Sequence, residues 1–120
     1  MNIDGIIFDL DGTLWDSCRI VAESWGYTLR TKYGAQHAPT EADVRSIMGL
    51  TVAQIAERLF SEYGERALEI CRDCIHEENA YLASHGGGMP YSGLEKLLHR
   101  LSERCGLFIV SNCIDGYIQC

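Results

Sequence analysis

Basic side chains are scarce in this chain: ten Lys and Arg stand against 17 Asp and Glu, for a net charge of -7. That shortage argues against a nucleic-acid groove or an anionic membrane surface, both of which need a basic footprint. It also means that any anionic ligand needs a local cation to bind. No apolar run approaches the ~18 residues of a membrane span. The opening Met1-Asn2-Ile3-Asp4 lacks the basic start and apolar stretch of an export signal, so the expected location is the cytosol. Without export, the six cysteines are expected as reduced thiols rather than a disulfide framework. Cys71-x-x-Cys74 has no second pair to complete a zinc site and falls in a helical pattern, so it reads as two ordinary helix residues. His37, His76, His85 and His99 are dispersed with no metal-ligand spacing, and no internal repeat or low-complexity tract occurs.

What is present is ordinary globular composition, 47% hydrophobic and 22% charged, in a length that suits one domain or a small core with one insertion. Ile3 to Phe8 is a short, branched, apolar run without clean alternation and reads as a buried, parallel strand ending at Asp9. Leu107 to Val110 is a second such run and ends in Ser111-Asn112. Before it, leucines at 94, 97, 98 and 101 mark one face of a helix that Cys105-Gly106 stops. Strand first, helix then strand last, predicts an α/β fold with a Rossmann-like parallel sheet.

Between the two strands the periodicity is helical. Asp16 to Tyr33 reads as one helix ending at Gly34, and Thr40 caps the next, which Gly49 closes. Thr51 to Tyr63 carries Val52, Ile55, Ala56, Leu59 and Phe60 on one stripe. Glu65 to Ser84 is a fourth helix, with Leu68, Cys71, Ile75 and Leu82 roughly on one face. Trp25, Tyr27 and Tyr33 read as core aromatics of this helical part. Gly86-Gly87-Gly88 followed by Met89-Pro90 is a turn or hinge. The expected organisation is an α/β core at 1–15 plus 87–120, interrupted by an all-helical insert at 16–86; one continuous domain is the alternative.

The chemistry concentrates in Asp9-Leu10-Asp11-Gly12-Thr13-Leu14. Two carboxylates one residue apart on an extended segment point to the same side, here directly after a strand, where open α/β sheets place their ligands. Like charges this close resist joint ionisation, and a divalent cation between them relieves the repulsion. Gly12 permits a sharp turn close to a ligand, and Thr13 adds a hydroxyl and a main-chain N–H. An acidic turn capping a strand would use the same residue types; the preceding Ile-Ile-Phe and the following Thr-Leu favour a site. Trp15 and Asp16, at the entrance to the insert, suit a hinge or packing role better than a cleft lining.

Phe8 to Leu14 closely resembles the first motif of the haloacid dehalogenase superfamily of hydrolases, and Val110-Ser111-Asn112 resembles its second. Tyr91-Ser92-Gly93-Leu94 is similar to the re-entry segment of phosphoglycolate-phosphatase-like members, with Ser92 where proline is usual. The resemblance implies a Mg²⁺-dependent phosphatase acting on a small phosphorylated metabolite. Asp9 would be the nucleophile that forms an aspartyl-phosphate, and Asp11 the general acid and then base. Mg²⁺ would be held by Asp9 and by the main-chain carbonyl of Asp11. Ser111, Asn112, Gly12 and Thr13 would contact the phosphate. Gly49-Leu50-Thr51 falls where related caps carry a loop over the active site. Halide-removing members lack the second carboxylate, so Asp11 favours phosphate chemistry.

The family's later motifs, a Lys or Arg and an acidic pair, are expected after Asn112, where only eight residues of this sequence follow. The core is therefore expected to be incomplete, with a missing C-terminal half or a second chain completing it. A phosphomutase, or a non-catalytic binding protein built on the helical insert, are the competing expectations.

Overall fold

The computed structural model describes residues 2–111, 113 and 116–118, and these form a layer of helices beside a minimal parallel sheet. The chain runs β1 (Gly5–Phe8), β2 (Trp15–Asp16), α1 (Cys18–Tyr33), α2 (Glu41–Ser46), α3 (Val52–Leu59), a 3₁₀ segment (Ser61–Arg66), α4 (Ala67–Ser84), β3 (Met89–Pro90), α5 (Leu94–Ser102) and β4 (Gly106–Ile109).

The helices begin and end where local chemistry dictates. Thr40 and Thr51 each accept from the main-chain N–H three residues on, and the Asp43 and Gln54 side chains accept in return from the capping residue's N–H. Both are reciprocal caps that satisfy donors left over at a helix start. Helix α1 stops at Gly34, whose φ of +62° is a left-handed conformation, while Gly34 and Ala35 donate to Arg30 and Leu29. On α1, Cys18, Val21, Trp25 and Leu29 are buried at spacings of three and four. They meet Ile70, Cys71, Cys74, Glu78 and Leu82 of α4, with Val44, Ile55, Ala56 and Phe60 closing the core. Trp25 and Phe60 pack with ring centroids 5.8 Å apart.

The buried face of α4 differs from the expected one. Leu68 is exposed and Ile75 only half-buried, because Glu78 occupies a core-facing position that its charge disguises in the sequence. Tyr27 also departs from expectation: it lies on the outer surface of α1, tilted against Tyr81. Trp25 is buried as expected, and Tyr33 is half-buried with its hydroxyl donating to Asp73. Cys71 and Cys74 are free thiols inside a helix; burial pushes them up to about 11 and about 12, which leaves them inert.

Strands β1 and β4 pair in parallel, with Gly5 opposite Gly106 and Phe8 opposite Ile109. The parallel pairing is as expected; the burial is not. Ile7 is 69% and Phe108 59% exposed, since among the described residues each strand has a single neighbour; in α5 only Leu94, Leu98 and Leu101 are half-buried. Strand β1 is also shorter than the apolar run at 3–8 that announces it, and β4 begins and ends one residue before the run at 107–110.

The two passages between strands and helices are tied together. Trp15 pairs with Pro90 and Asp16 with Met89 in antiparallel register, and Tyr91 N–H donates to Leu14. Gly88 lies against the Trp15 indole so closely that a Cβ there would come 2.7 Å from Cδ2. Trp15 and Asp16 thus take the packing role. Among the described residues no helix is long and apolar enough to cross a membrane.

Candidate active site

The turn after β1 is built around one carbonyl. Leu10 C=O accepts from the N–H groups of Thr13, Leu14 and Trp15 at 3.2, 2.9 and 3.4 Å. Leu10 and Leu14 are buried and anchor the turn, while Asp9, Gly12 and Thr13 are exposed. Gly12 has φ +74°, a conformation that side chains with a Cβ avoid, and its N–H donates to Trp15 C=O at 3.0 Å. Thr13 Oγ1 lies 3.5 Å from Asp9 Oδ2.

Asp9 and Asp11 flank the buried Leu10 but live in different surroundings. Asp9 stands open at the C-terminal end of β1; Asp11 is half-buried and tied down. Its Oδ1 accepts three hydrogen bonds, from Trp15 Nε1 at 2.9 Å, Ser17 Oγ at 2.8 Å and Tyr117 Oη at 2.8 Å. Burial pushes the Tyr117 hydroxyl well above its ordinary range, which keeps it a donor. The Tyr117 ring meets Trp15 edge-on at 5.8 Å, so two of the three donors also brace each other. Next door, the Arg45 guanidinium lies 2.8 Å from Asp16 and holds that carboxyl below the usual range.

Asp11 opens onto a cavity of about 200 Å³ between the turn and the helices. Val21, Trp25, Val44, Ile47, Leu50 and Ile75 give it apolar walls, and Glu78, Cys113 and Tyr117 add polar atoms. Of the expected loop Gly49-Leu50-Thr51, Gly49 and Leu50 line this cavity, whereas Thr51 serves as the cap of α3.

The second motif approaches from β4. Val110 N–H donates to Phe8 C=O at 2.9 Å, so half-buried Ser111 follows directly beyond the strand that runs beside Asp9. Asn112 lies outside the described residues. Among the described residues no group of three or more His, Cys, Asp or Glu side chains converges as a metal site. The oxygen donors at hand are the exposed Asp9 carboxylate and the Asp11 carbonyl, which accepts no main-chain hydrogen bond among the described residues. One carboxylate and one carbonyl suit Mg²⁺, a hard cation that keeps several of its waters.

Two residues of this site carry no warning in the sequence. Ser17 lies six positions from Asp11 and Tyr117 lies 106, with no motif joining them. Glu78, in the cavity wall, had a signal: it falls four positions from Cys74 and Leu82 and seven from Cys71 along a helix.

The site is thus a D-x-D-G turn at the C-terminal end of a parallel strand pair, beside a layer of helices, in a mixed α/β fold. The family model described as haloacid dehalogenase-like hydrolase matches residues 6–119, and the chain belongs to that family. It is 34% identical over 76 residues to the pyrophosphatase PpaX of Anoxybacillus flavithermus, a match covering 63% of this chain and 34% of that protein. Its fold is similar to a crystal structure of a Clostridium difficile protein assigned as a phosphatase, with a TM-score of 0.62 and 20% identity over 92% of this chain. The chain spans about half the length of that structure and about a third of the curated relative.

Proposed function

We propose that this chain carries the nucleophile and acid of a Mg²⁺-dependent phosphatase acting on a small phosphate monoester. The observation that carries the reading is the contrast between the two carboxylates of one turn: Asp9 open at the strand end, Asp11 held by three donors at the mouth of a cavity. Asp9 attacks phosphorus, the ester oxygen leaves, and an aspartyl-phosphate forms. Asp11 gives the leaving oxygen its proton and then takes one from water, which hydrolyses the acyl-phosphate. Since Oδ1 is occupied by Trp15, Ser17 and Tyr117, the travelling proton resides on Oδ2. Bound Mg²⁺, held by Asp9 and the Asp11 carbonyl, would offset negative charge on the phosphoryl group. Ser111, Asn112 and the Thr13 hydroxyl bind phosphate oxygens, and Gly12 lets the turn approach them closely, while the N–H groups of Gly12 and Thr13 hold the turn itself together.

In this reading the α/β core comprises 1–15 and 87–120 and the helical cap 16–86, which excludes water from the cavity during the reaction. With Ile7 and Phe108 exposed, the sheet suits the docking of further polypeptide of the same or another chain. The test is phosphate release from a panel of monoesters, with inorganic pyrophosphate included because the curated relative is a pyrophosphatase. Asp9→Asn is expected to abolish turnover and the acid-stable phosphoryl-enzyme; Asp11→Asn is expected to lower turnover about 10²–10⁴-fold. An Asp9→Asn protein that retains turnover would remove the nucleophile assignment.

A further inference from the structure

Glu78 is out of place for a packing residue. It sits on the core stripe of α4 between Cys74 and Leu82, 9% exposed, where an apolar side chain or a glutamine would fill the same space. Its carboxylate accepts a 2.6 Å hydrogen bond from Trp25 Nε1, and among the described residues no Lys, Arg or His pairs with it. A buried carboxylate without a cation is unfavourable in an apolar medium; burial pushes this one up to about 7. Yet it faces the cavity that Asp11 opens onto.

The polar inventory of that cavity is one-sided. Asp11 and Glu78 are acceptors, and the indole of Trp25 and the hydroxyl of Tyr117 already donate to them. The thiol of Cys113, a weak donor, is the other polar side chain among the described residues. The remaining wall is aliphatic or aromatic, so a ligand entering here must bring its own hydrogen-bond donors and can bring an apolar skeleton. It also enters a chain of net charge -7 with two carboxylates in one cavity, which favours a donor that carries positive charge.

We propose that Glu78 is a specificity-determining residue that receives a protonated amine on a short aliphatic leaving group, while the phosphoryl end of the same molecule lies at Asp9. Val21, Ile47 and Leu50 contact the carbon chain between the two ends. The proposal rests on the phosphatase reading for the phosphoryl end; the amine end stands on the cavity alone.

The experiment compares phosphoethanolamine with ethyl phosphate and hydroxyethyl phosphate as substrates of the full-length protein. The amino ester is expected to exceed ethyl phosphate about tenfold or more in kcat/KM, chiefly through KM. Glu78→Gln should bring that ratio close to one while changing ethyl phosphate turnover less than about threefold, and Glu78→Asp should restore part of it. A ratio near one in the native protein, a ratio retained in Glu78→Gln, or a preference for the hydroxyl ester overturns the proposal. Binding separates it from the phosphatase reading. Aminopropylphosphonate, but not propylphosphonate, should shift the Trp25 indole N–H resonance of the native protein and leave it unmoved in Glu78→Gln. An unmoved resonance in the native protein overturns the amine site even where esters are hydrolysed. A shifted one sustains it even where none is.

Discussion

Phe60 and Phe108 are the same side chain in opposite circumstances. Phe60, after α3, is fully enclosed by the helical layer; Phe108, in the middle of β4, is 59% exposed. The difference runs through the molecule: every helix from α1 to α4 contributes buried residues, while β1, α5 and β4 contribute none. The helical layer encloses its own core, and the strand pair leaves its apolar side chains for something else to cover. Burial, not residue type, decides what each phenylalanine contributes.

The sharpest test of that contrast is a matched pair of truncations followed by urea denaturation. Phe60→Ala is expected to cost about 3–5 kcal/mol, and Phe108→Ala within about 1 kcal/mol of nothing. Equal losses would mean that the strand pair is covered in solution.

Next in size is the charge inside the helical layer. Below about pH 4.5 the Glu78 carboxyl is neutral in folded and unfolded chains alike. Between there and about 7 the unfolded chain ionises first, so the folded form loses stability as pH rises, and above that the loss is constant. Glu78→Gln should therefore match the native protein at pH 4 and exceed it at pH 8 by on the order of 2–3 kcal/mol. Parallel pH profiles for the two proteins would refute this.

Where the regions join, Gly88→Ala should cost about 1–3 kcal/mol, because the new methyl meets the rigid Trp15 ring and the paired strands cannot both give way. A thermal melt unchanged from native would show that the tie is loose. The smallest effect is local to the helices: Thr40→Ala removes one side of a reciprocal cap and should cost about 1 kcal/mol. Amide exchange at the start of α2 would report it even where the global midpoint hardly moves.

Much of this was legible before any coordinates. Helix boundaries at Gly34, Thr40 and Thr51 are written in residues whose local chemistry leaves few options, and the parallel strands follow from their uninterrupted apolar runs. The D-x-D-G turn announces itself for the same reason: two carboxylates and a glycine have a conformational meaning at short range. What stayed hidden depends on partners far away. Tyr27 and Trp25 look alike in a helical pattern, and only the packing of α4 decides that one is outside. The register of α4 was obscured because a core position holds a glutamate. Strand burial failed as an inference since an apolar run states what a strand can tolerate, not whether a neighbour exists to cover it.

The hydrogen bond from Tyr117 to Asp11 joins residues 106 positions apart, and β1 and β4 meet across almost the same span. Closing so long a loop costs about 4 kcal/mol of chain entropy if what lies between is unstructured. The intervening helices, by contrast, form from neighbours three and four residues apart and reach one another over shorter loops. Folding is therefore expected to run from the middle of the chain outwards, with the helices bringing the two ends together before Asp11 acquires its third donor. Asp11 is then the last part of the turn to be set, and its third hydrogen bond would report that the rest of the chain has already folded.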